Sequence, residues 1–366
     1  MEHAATLPAA PGRTPPATGF REHDPRIQYF VKGAPVQNFG DYLPELLAKE
    51  FFLHPRVDAD LYRLIGSVIE SSWVLRDLRH HVGTTSGRIA YWGCGMRDAR
   101  PLDARARSMC SFFGVRGPRT RELLGLPAST VLGDPGLLAP LFHVPAPAPA
   151  TAGRVICIPH IHDAKGDAEL LAISGAEVVL RPQIDASEAA LRRILDQIAS
   201  ARFVLTASLH GAIIACAYRV PFAFWDNGHV DIVFKWQDFA GSVGLPATFV
   251  SHADPGQALY DEVLAPALRR LPLTPILDVC PFAIRPQVLV QALMLDGRLA
   301  PQATPHEVMA ALDGLASLRH GAVLALQDAS AAHRARRDRL PDLLRRRLGG
   351  GIESAKALIR HTLRIR

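Results

Sequence analysis

The stretch Phe203-Val-Leu-Thr-Ala-Ser-Leu-His-Gly-Ala-Ile-Ile-Ala-Cys-Ala-Tyr-Arg-Val-Pro-Phe-Ala-Phe-Trp225 decides the fold. Phe203 to Thr206 reads as a buried strand. Thr206 to Gly211 reads as a turn, and Ala212 to Tyr218 as a helix of small residues. Pro221 to Trp225 is a second apolar strand. Strand, helix and strand joined by short turns make a β-α-β unit, which implies a parallel sheet. Upstream, Arg154 to Ile158 and Ala176 to Leu180 read as further strands. Ser187 is placed to cap a helix whose Leu191, Ile194, Leu195 and Ile198 follow helical spacing. The second half is therefore expected to be Rossmann-like.

The first half carries the same alternation in weaker form. Strands are expected at Leu64 to Gly66, Arg88 to Trp92, Phe112 to Arg116 and Thr130 to Leu132, with a short helix over Arg119 to Leu124. Between the halves, Val144-Pro-Ala-Pro-Ala-Pro-Ala-Thr-Ala-Gly153 has the alternating Pro and Ala of an extended connector. The expected organisation is a disordered N-terminus (1–25), a Rossmann-like domain (26–143), the linker (144–153), a second Rossmann-like domain (154–282) and a helical basic extension (283–366). Two such domains joined by a linker face each other across a cleft at the C-terminal ends of their strands, a GT-B-like α/β architecture.

Bulk properties narrow the function. With 366 residues, 48% hydrophobic and 21% charged, the chain reads as a globular protein of two domains. No apolar run is long enough to span a bilayer and the N-terminus has no signal core, so a cytoplasmic protein is expected. The five scattered cysteines include no Cys-x-x-Cys pair, which suits a reducing compartment. The net charge of +6 is local: Arg334 to Arg366 holds eleven Lys or Arg against three Asp or Glu, leaving 30 basic against 32 acidic elsewhere. That distribution argues against nucleic acid as a partner. Helices are expected over Glu307 to Leu318 and Ala322 to Leu340. After a Gly349-Gly-Gly351 hinge, the last segment has an apolar face (Ala355, Leu358, Ile359, Leu363) and a basic one. It is either a solvated tail or a peripheral contact with an anionic membrane.

Five segments carry residues with chemistry. In Thr206-Ala-Ser208-Leu-His210-Gly211, a strand end and a helix start present unpaired amides to an anion, with an imidazole to move a proton. In Gly114-Val-Arg116-Gly-Pro-Arg119-Thr120, Arg116 at a strand end suits a bidentate carboxylate or phosphate, or an interdomain salt bridge. Asp134 in Gly133-Asp-Pro-Gly136 either orients a ligand or caps the next turn. Asn38-Phe-Gly40-Asp41 either caps a helix or contacts sugar hydroxyls. Pro159-His160-Ile-His162-Asp163 lacks a third ligand at metal spacing and reads as a loop facing the cleft. No metal and no cofactor is called for.

In order and spacing, these segments, with Gly66-Ser67 and Val220-Pro221, resemble the polysaccharide pyruvyl transferase family, especially its succinoglycan-ketalase-like branch. The resemblance runs from about Asn38 to about Pro246. It implies a GT-B-like fold, phosphoenolpyruvate as donor, and a cyclic pyruvate ketal on a sugar of a polysaccharide or lipid-linked precursor. It places His210 and Arg116 at the donor site; in the mechanism these parts suggest, Asp41 or Asp134 takes a proton from the sugar. Asn38, Gly40, Arg119, His160, Ser208 and Gly211 would contact substrate. Many members have Arg where this chain has Ser208, so either another base, such as Arg119 or Lys235, replaces it or the donor geometry differs. A nucleotide-sugar glycosyltransferase of similar shape and a non-catalytic scaffold in polysaccharide assembly are the alternatives.

Overall fold

The computed structural model describes residues 24–228 and 230–315. The expected disordered N-terminus, the helix over Ala322 to Leu340 and the basic terminal helix thus lie wholly or largely outside the described residues. The strands are β1 (Val36–Asn38), β2 (Phe52–Pro55), β3 (Leu61–Arg63), β4 (Ile89–Trp92), β5 (Cys110–Phe113), β6 (Val155–Ile158), β7 (Val178–Val179), β8 (Gln183–Asp185), β9 (Phe203–Thr206), β10 (Phe222–Trp225), β11 (Phe249–Val250) and β12 (Phe282–Ile284).

Both main sheets are parallel, and the fold is mixed α/β. In the second half the order is β11-β10-β9-β6-β7. The chain leaves β6 for β7 on one side and returns to place β9 on the other. That reversal is a topological switch point, the position at which open α/β sheets bind ligands. In the first half the order is β3-β4-β5, extended by single parallel bridges from Ile27 to Tyr62 and from Val115 to Leu132.

The halves are tied together by more than one crossing. β1 pairs with β8 and β12 pairs with β2, each antiparallel and each joining distant parts of the chain. One cluster of buried side chains runs through both halves and includes Phe39, Trp92, Leu138, Ile156, Ile213 and Phe224. The segment 144–153 is pinned rather than free: the Ala146 and Ala148 amides donate to Asp196 (2.8 Å) and Ser200 (2.9 Å), and Thr151 is buried.

Several boundaries differ from expectation. The first strand lies at Leu61–Arg63, not Leu64 to Gly66, because Gly66 adopts φ 102° and already belongs to the turn. β5 ends at Phe113, because Gly114 takes φ 76°. Thr130 to Leu132 contributes only the Leu132 bridge. The helix expected from Ala212 starts at Leu209, which puts His210 and Gly211 inside its first turn. At the C-terminal end, helices run over Pro286–Leu295 and Pro305–Asp313, the latter closed by a capping box between Thr304 and Glu307. No helix among the described residues is long and apolar enough to cross a membrane.

Candidate functional site

The turn after β9 is shaped by Thr206. Its hydroxyl accepts from the Ser208 amide (3.0 Å) and donates to the Ser208 carbonyl (2.8 Å). Gly211 lets the helix Leu209–Tyr218 approach the sheet: a Cβ there would sit 2.4 Å from Thr206 Oγ1 and 3.0 Å from Ile158. Gly211 is therefore a packing glycine. Ser208 holds the N-cap position, but its side chain makes no cap bond. Among the described residues, the Leu209, His210 and Gly211 amides have no protein acceptor, so three orphan donors stand at the positive end of the helix, within a buried turn.

His210 projects from this first turn. Its ring packs edge-on to Phe39, with centroids 6.5 Å apart. Gly40 lies so close that a Cβ would fall 2.1 Å from Nδ1. Nε2 is buried without a hydrogen-bond partner and stands 3.9 Å from Asp134 Oδ1. Burial, then the charges of Arg116 and Lys235, depress its pKa to about 3, so the ring is neutral in the free protein.

Asp134 stands beside the imidazole, and Asp41 lies within electrostatic reach of Asp134. Asp134 is fully buried and is a cap: Oδ1 accepts from the Gly136 amide at 2.9 Å at the start of the 3-10 helix Pro135–Leu141. Its Oδ2 has no partner. Burial raises its pKa to about 6, against the Gly136 amide and Arg116. Asp41 is half-buried in the first turn of the helix Phe39–Phe51 and has no hydrogen bond among the described residues. Burial raises it to about 6 as well, opposed by Lys235 and Arg63 and helped by Asp134. Asn38 caps the same helix, accepting from the Gly40 amide at 3.0 Å. The ordinary capping role thus accounts for Asn38, and it presents Gly40 and Asp41 to His210.

Arg116 is placed differently from the expectation of a groove-facing donor ligand. It is fully buried, lying against Gly95, where a Cβ would meet Nη2 at 2.2 Å. Nε donates to Asp238 (3.2 Å), Nη1 to Ser67 (2.6 Å) and Nη2 to the Met96 carbonyl (3.4 Å). Asp238 also accepts from the Thr120 amide (2.9 Å) and hydroxyl (2.7 Å). Gly117 and Gly241 permit this contact: a Cβ on Gly117 would stand 1.9 Å from the Asp238 carbonyl oxygen, and one on Gly241 2.9 Å from Pro118. The interdomain salt bridge is the role the geometry supports. Arg116 reaches His210 and Asp134 through its charge rather than by contact.

The cations nearer the solvent lie on the second half. Lys235 pairs with Asp231, and His160 Nε2 stands 3.3 Å from the same carboxylate. His160 and Lys235 hold Asp231 well below the usual carboxylate range, while burial lowers Lys235. Lys235 carries enough field to shift both Asp41 and His210. Arg119 is exposed and lies over Phe234, 5.6 Å from the ring centre, apart from the buried cluster. The His162 ring packs against His160, Asp163 accepts from the Lys165 amide and from Asn227, and no group of three or more His, Cys, Asp or Glu among the described residues is arranged to hold a metal.

The structure thus brings together Gly40, Asp41, Asp134 and His210, with Ser208 and the helix amides beside them. Sequence reasoning missed Asp231, Asp238 and Arg63. Asp231 was discoverable from its i,i+4 spacing to Lys235. Asp238 sits four residues after Phe234 on a buried helical face, where a carboxylate demands a partner. Arg63 is buried on β3 against Asp77 at 2.7 Å.

No curated protein and no solved structure matches the chain significantly. A family model does: residues 59–229 match the one described as polysaccharide pyruvyl transferase. The match spans Arg116, Asp134, His160, Ser208 and His210, the strand-end residues of both sheets. Over that stretch, a little under half of its length, the chain is similar to the polysaccharide pyruvyl transferase family, whose members transfer pyruvyl groups onto polysaccharide.

Proposed function

We propose that the protein uses phosphoenolpyruvate to build a pyruvate ketal across two hydroxyls of one sugar, in the groove between two Rossmann-like lobes in a GT-B-like arrangement. The observation that carries the reading is the unpartnered Nε2 of His210 in the first turn of a helix at a switch point, 3.9 Å from Asp134, with Asp134 and Asp41 both of raised pKa. The helix amides and Lys235 suit a small, multiply charged donor. The role given to the missing arginine falls to Lys235 rather than to the exposed Arg119.

The free-protein pKa bears on who moves the proton. His210 starts uncharged, and restoring its ordinary 6.5 from about 3 takes about 5 kcal/mol. One negative charge at 4 Å is worth about 4 kcal/mol at an effective dielectric near 20. A doubly charged donor therefore covers the deficit, and donor binding draws a proton onto His210. The imidazolium then protonates the enol methylene, giving a methyl group and oxocarbenium character at the neighbouring carbon. A sugar hydroxyl attacks there and loses its proton to Asp41, whose pKa of about 6 suits a base near neutrality. The C–O bond to phosphate breaks, and the second hydroxyl closes the ketal. Of the two hydroxyl protons, one balances the proton used at carbon and the other leaves with phosphate.

The test is mass spectrometry of glycans incubated with enzyme and phosphoenolpyruvate. A pyruvate ketal with one equivalent of released phosphate is the expected result. Absence of both across a panel of acceptors, with a thermal shift from nucleoside diphosphates alone, sinks the reading in favour of a glycosyltransferase. Membrane association of the basic segment 334–366 is a separate part of the proposal. Deleting 350–366 is expected to lower binding to anionic vesicles, and unchanged binding would discard it.

A further inference from the structure

The loops after β3 and β4 carry a second feature, outside the His210 cluster. Trp73, in the short helix Ser71–Asp77, stacks on Phe30 with centroids 5.9 Å apart and planes 7° apart. The Arg76 and Arg97 guanidinium carbons lie 4.4 Å and 5.2 Å from the indole centre. Phe30 is 42% exposed, and the next residue, Val31, is 56% exposed with φ 47°. A β-branched residue in the left-handed region is strained, and here the strained turn carries Phe30 onto the indole.

The charges around the stack are unbalanced. Arg97 and Arg100 share Glu70 at 3.7 Å and 3.9 Å, and Arg100 also holds Asp98 at 2.6 Å. The carboxylate nearest Arg76 is Asp77 at 4.0 Å, already committed to Arg63 at 2.7 Å. Arg79 is exposed close by. The position is also informative. Ser67 and Met96, which hold Arg116, lie on these same two loops, joined by the Ile69–Met96 bridge. Gly66 at the head of the first loop stands beside Asp41.

We infer that Phe30, Trp73, Arg76 and Arg97 form an acceptor subsite for an acidic sugar ring, next to the ring that receives the pyruvyl group. The outer face of the exposed Phe30, held in place by the indole behind it, takes the C–H face of a pyranose, and the outward edges of the guanidinium groups take a carboxylate. The inference rests on the pyruvyl-transfer reading only in calling the ligand the acceptor.

Calorimetry on the full chain with trigalacturonate and maltotriose tests it. Wild type is expected to bind the acidic trisaccharide about tenfold more tightly or better. Arg76→Ala with Arg97→Ala is expected to erase that preference while leaving maltotriose within about twofold. Phe30→Ala, at an exposed site, weakens both probes together. Each variant is checked for an unchanged unfolding transition, with Arg76→Gln as the milder substitute. No wild-type preference for the acid, or an arginine variant that binds it like wild type, overturns the subsite. Stabilisation by phosphoenolpyruvate is measured in parallel. If it is absent while the arginine variants still lose the acidic ligand, the donor reading falls and the subsite stands.

Discussion

Two turns in this molecule share one design and end differently. In each, a parallel strand runs into a turn and then a helix: Gly114 to Thr120 in the first half and Thr206 to Gly211 in the second. At the second, the helix amides stay open and an imidazole stands beside them unpaired. At the first, Asp238 from 122 residues further along the chain fills the same kind of position, taking the Thr120 amide, its hydroxyl and Arg116. One helix end is a cradle and the other a latch. An anion-binding turn is thus a local capability, and whether it serves a ligand or the fold depends on what the rest of the chain delivers to it.

The sharpest break in the comparison comes from exchanging the demands on the two turns. His210→Ala is expected to lower kcat/KM for pyruvyl transfer by about 10²–10⁴-fold with the fold retained. Arg116→Ala is expected to lose stability first, seen in a lowered unfolding midpoint. If Arg116→Ala is normally stable but inactive, the guanidinium touches the donor and the latch reading is wrong. Asp238→Ala leaves a buried guanidinium without its counter-charge and is expected to cost about 3–5 kcal/mol in denaturant unfolding. Removing both partners, as Arg116→Met with Asp238→Leu, should recover part of that loss. A double variant no better than Asp238→Ala would show that Thr120 and the glycine contact carry the latch instead.

The second sheet was legible because its strands are buried on both faces and read as short apolar runs between turns. β9 falls where expected, and β6 and β10 within one residue. β3 was displaced by three residues because Arg63 sits in the strand, and its charge breaks the apolar run; only Asp77, fourteen residues on, makes the burial tolerable. The His210 cluster was legible residue by residue, since Asn38, Gly40, Asp41, Asp134 and His210 were each singled out. Its electrostatics were not. That the ring is neutral follows from burial and from Arg116 and Lys235, neither of which is its sequence neighbour. For Arg116 the sequence offered both a ligand contact and a salt bridge, and could not choose between them, because a partner on another element, Asp238, decides it.

A smaller effect tests how tightly the cradle is built. Gly40→Ala places a methyl carbon 2.1 Å from His210 Nδ1 and 2.6 Å from its Cβ, so the ring has to move. Overpacking of this kind costs about 1–3 kcal/mol. Transfer activity is expected to fall by more than the stability loss explains, because the displaced ring carries the proton-moving Nε2. Gly95→Ala crowds Arg116 at 2.2 Å in the same way, yet its damage is expected in the unfolding midpoint. Equal effects of the two glycines on activity and stability would erase the distinction between cradle and latch.

The finest test is the pH dependence of stability. His210 has a folded pKa of about 3 against an ordinary 6.5, so on acidification the unfolded chain binds that proton first. Its contribution therefore weakens as pH falls from about 6.5 toward 3. Asp41 and Asp134 act oppositely: raised from 3.8 to about 6, they take protons first in the folded state and add stability as pH falls from about 6 toward 4. The wild-type profile mixes the two. His210→Asn removes only the first, so the gap between variant and wild type should move in the variant's favour by about 2 kcal/mol between pH 7 and pH 4.5. Urea unfolding at the two values measures it. A gap independent of pH means that the imidazole titrates normally and has free access to water, and the proton drawn in by the donor then loses its reason.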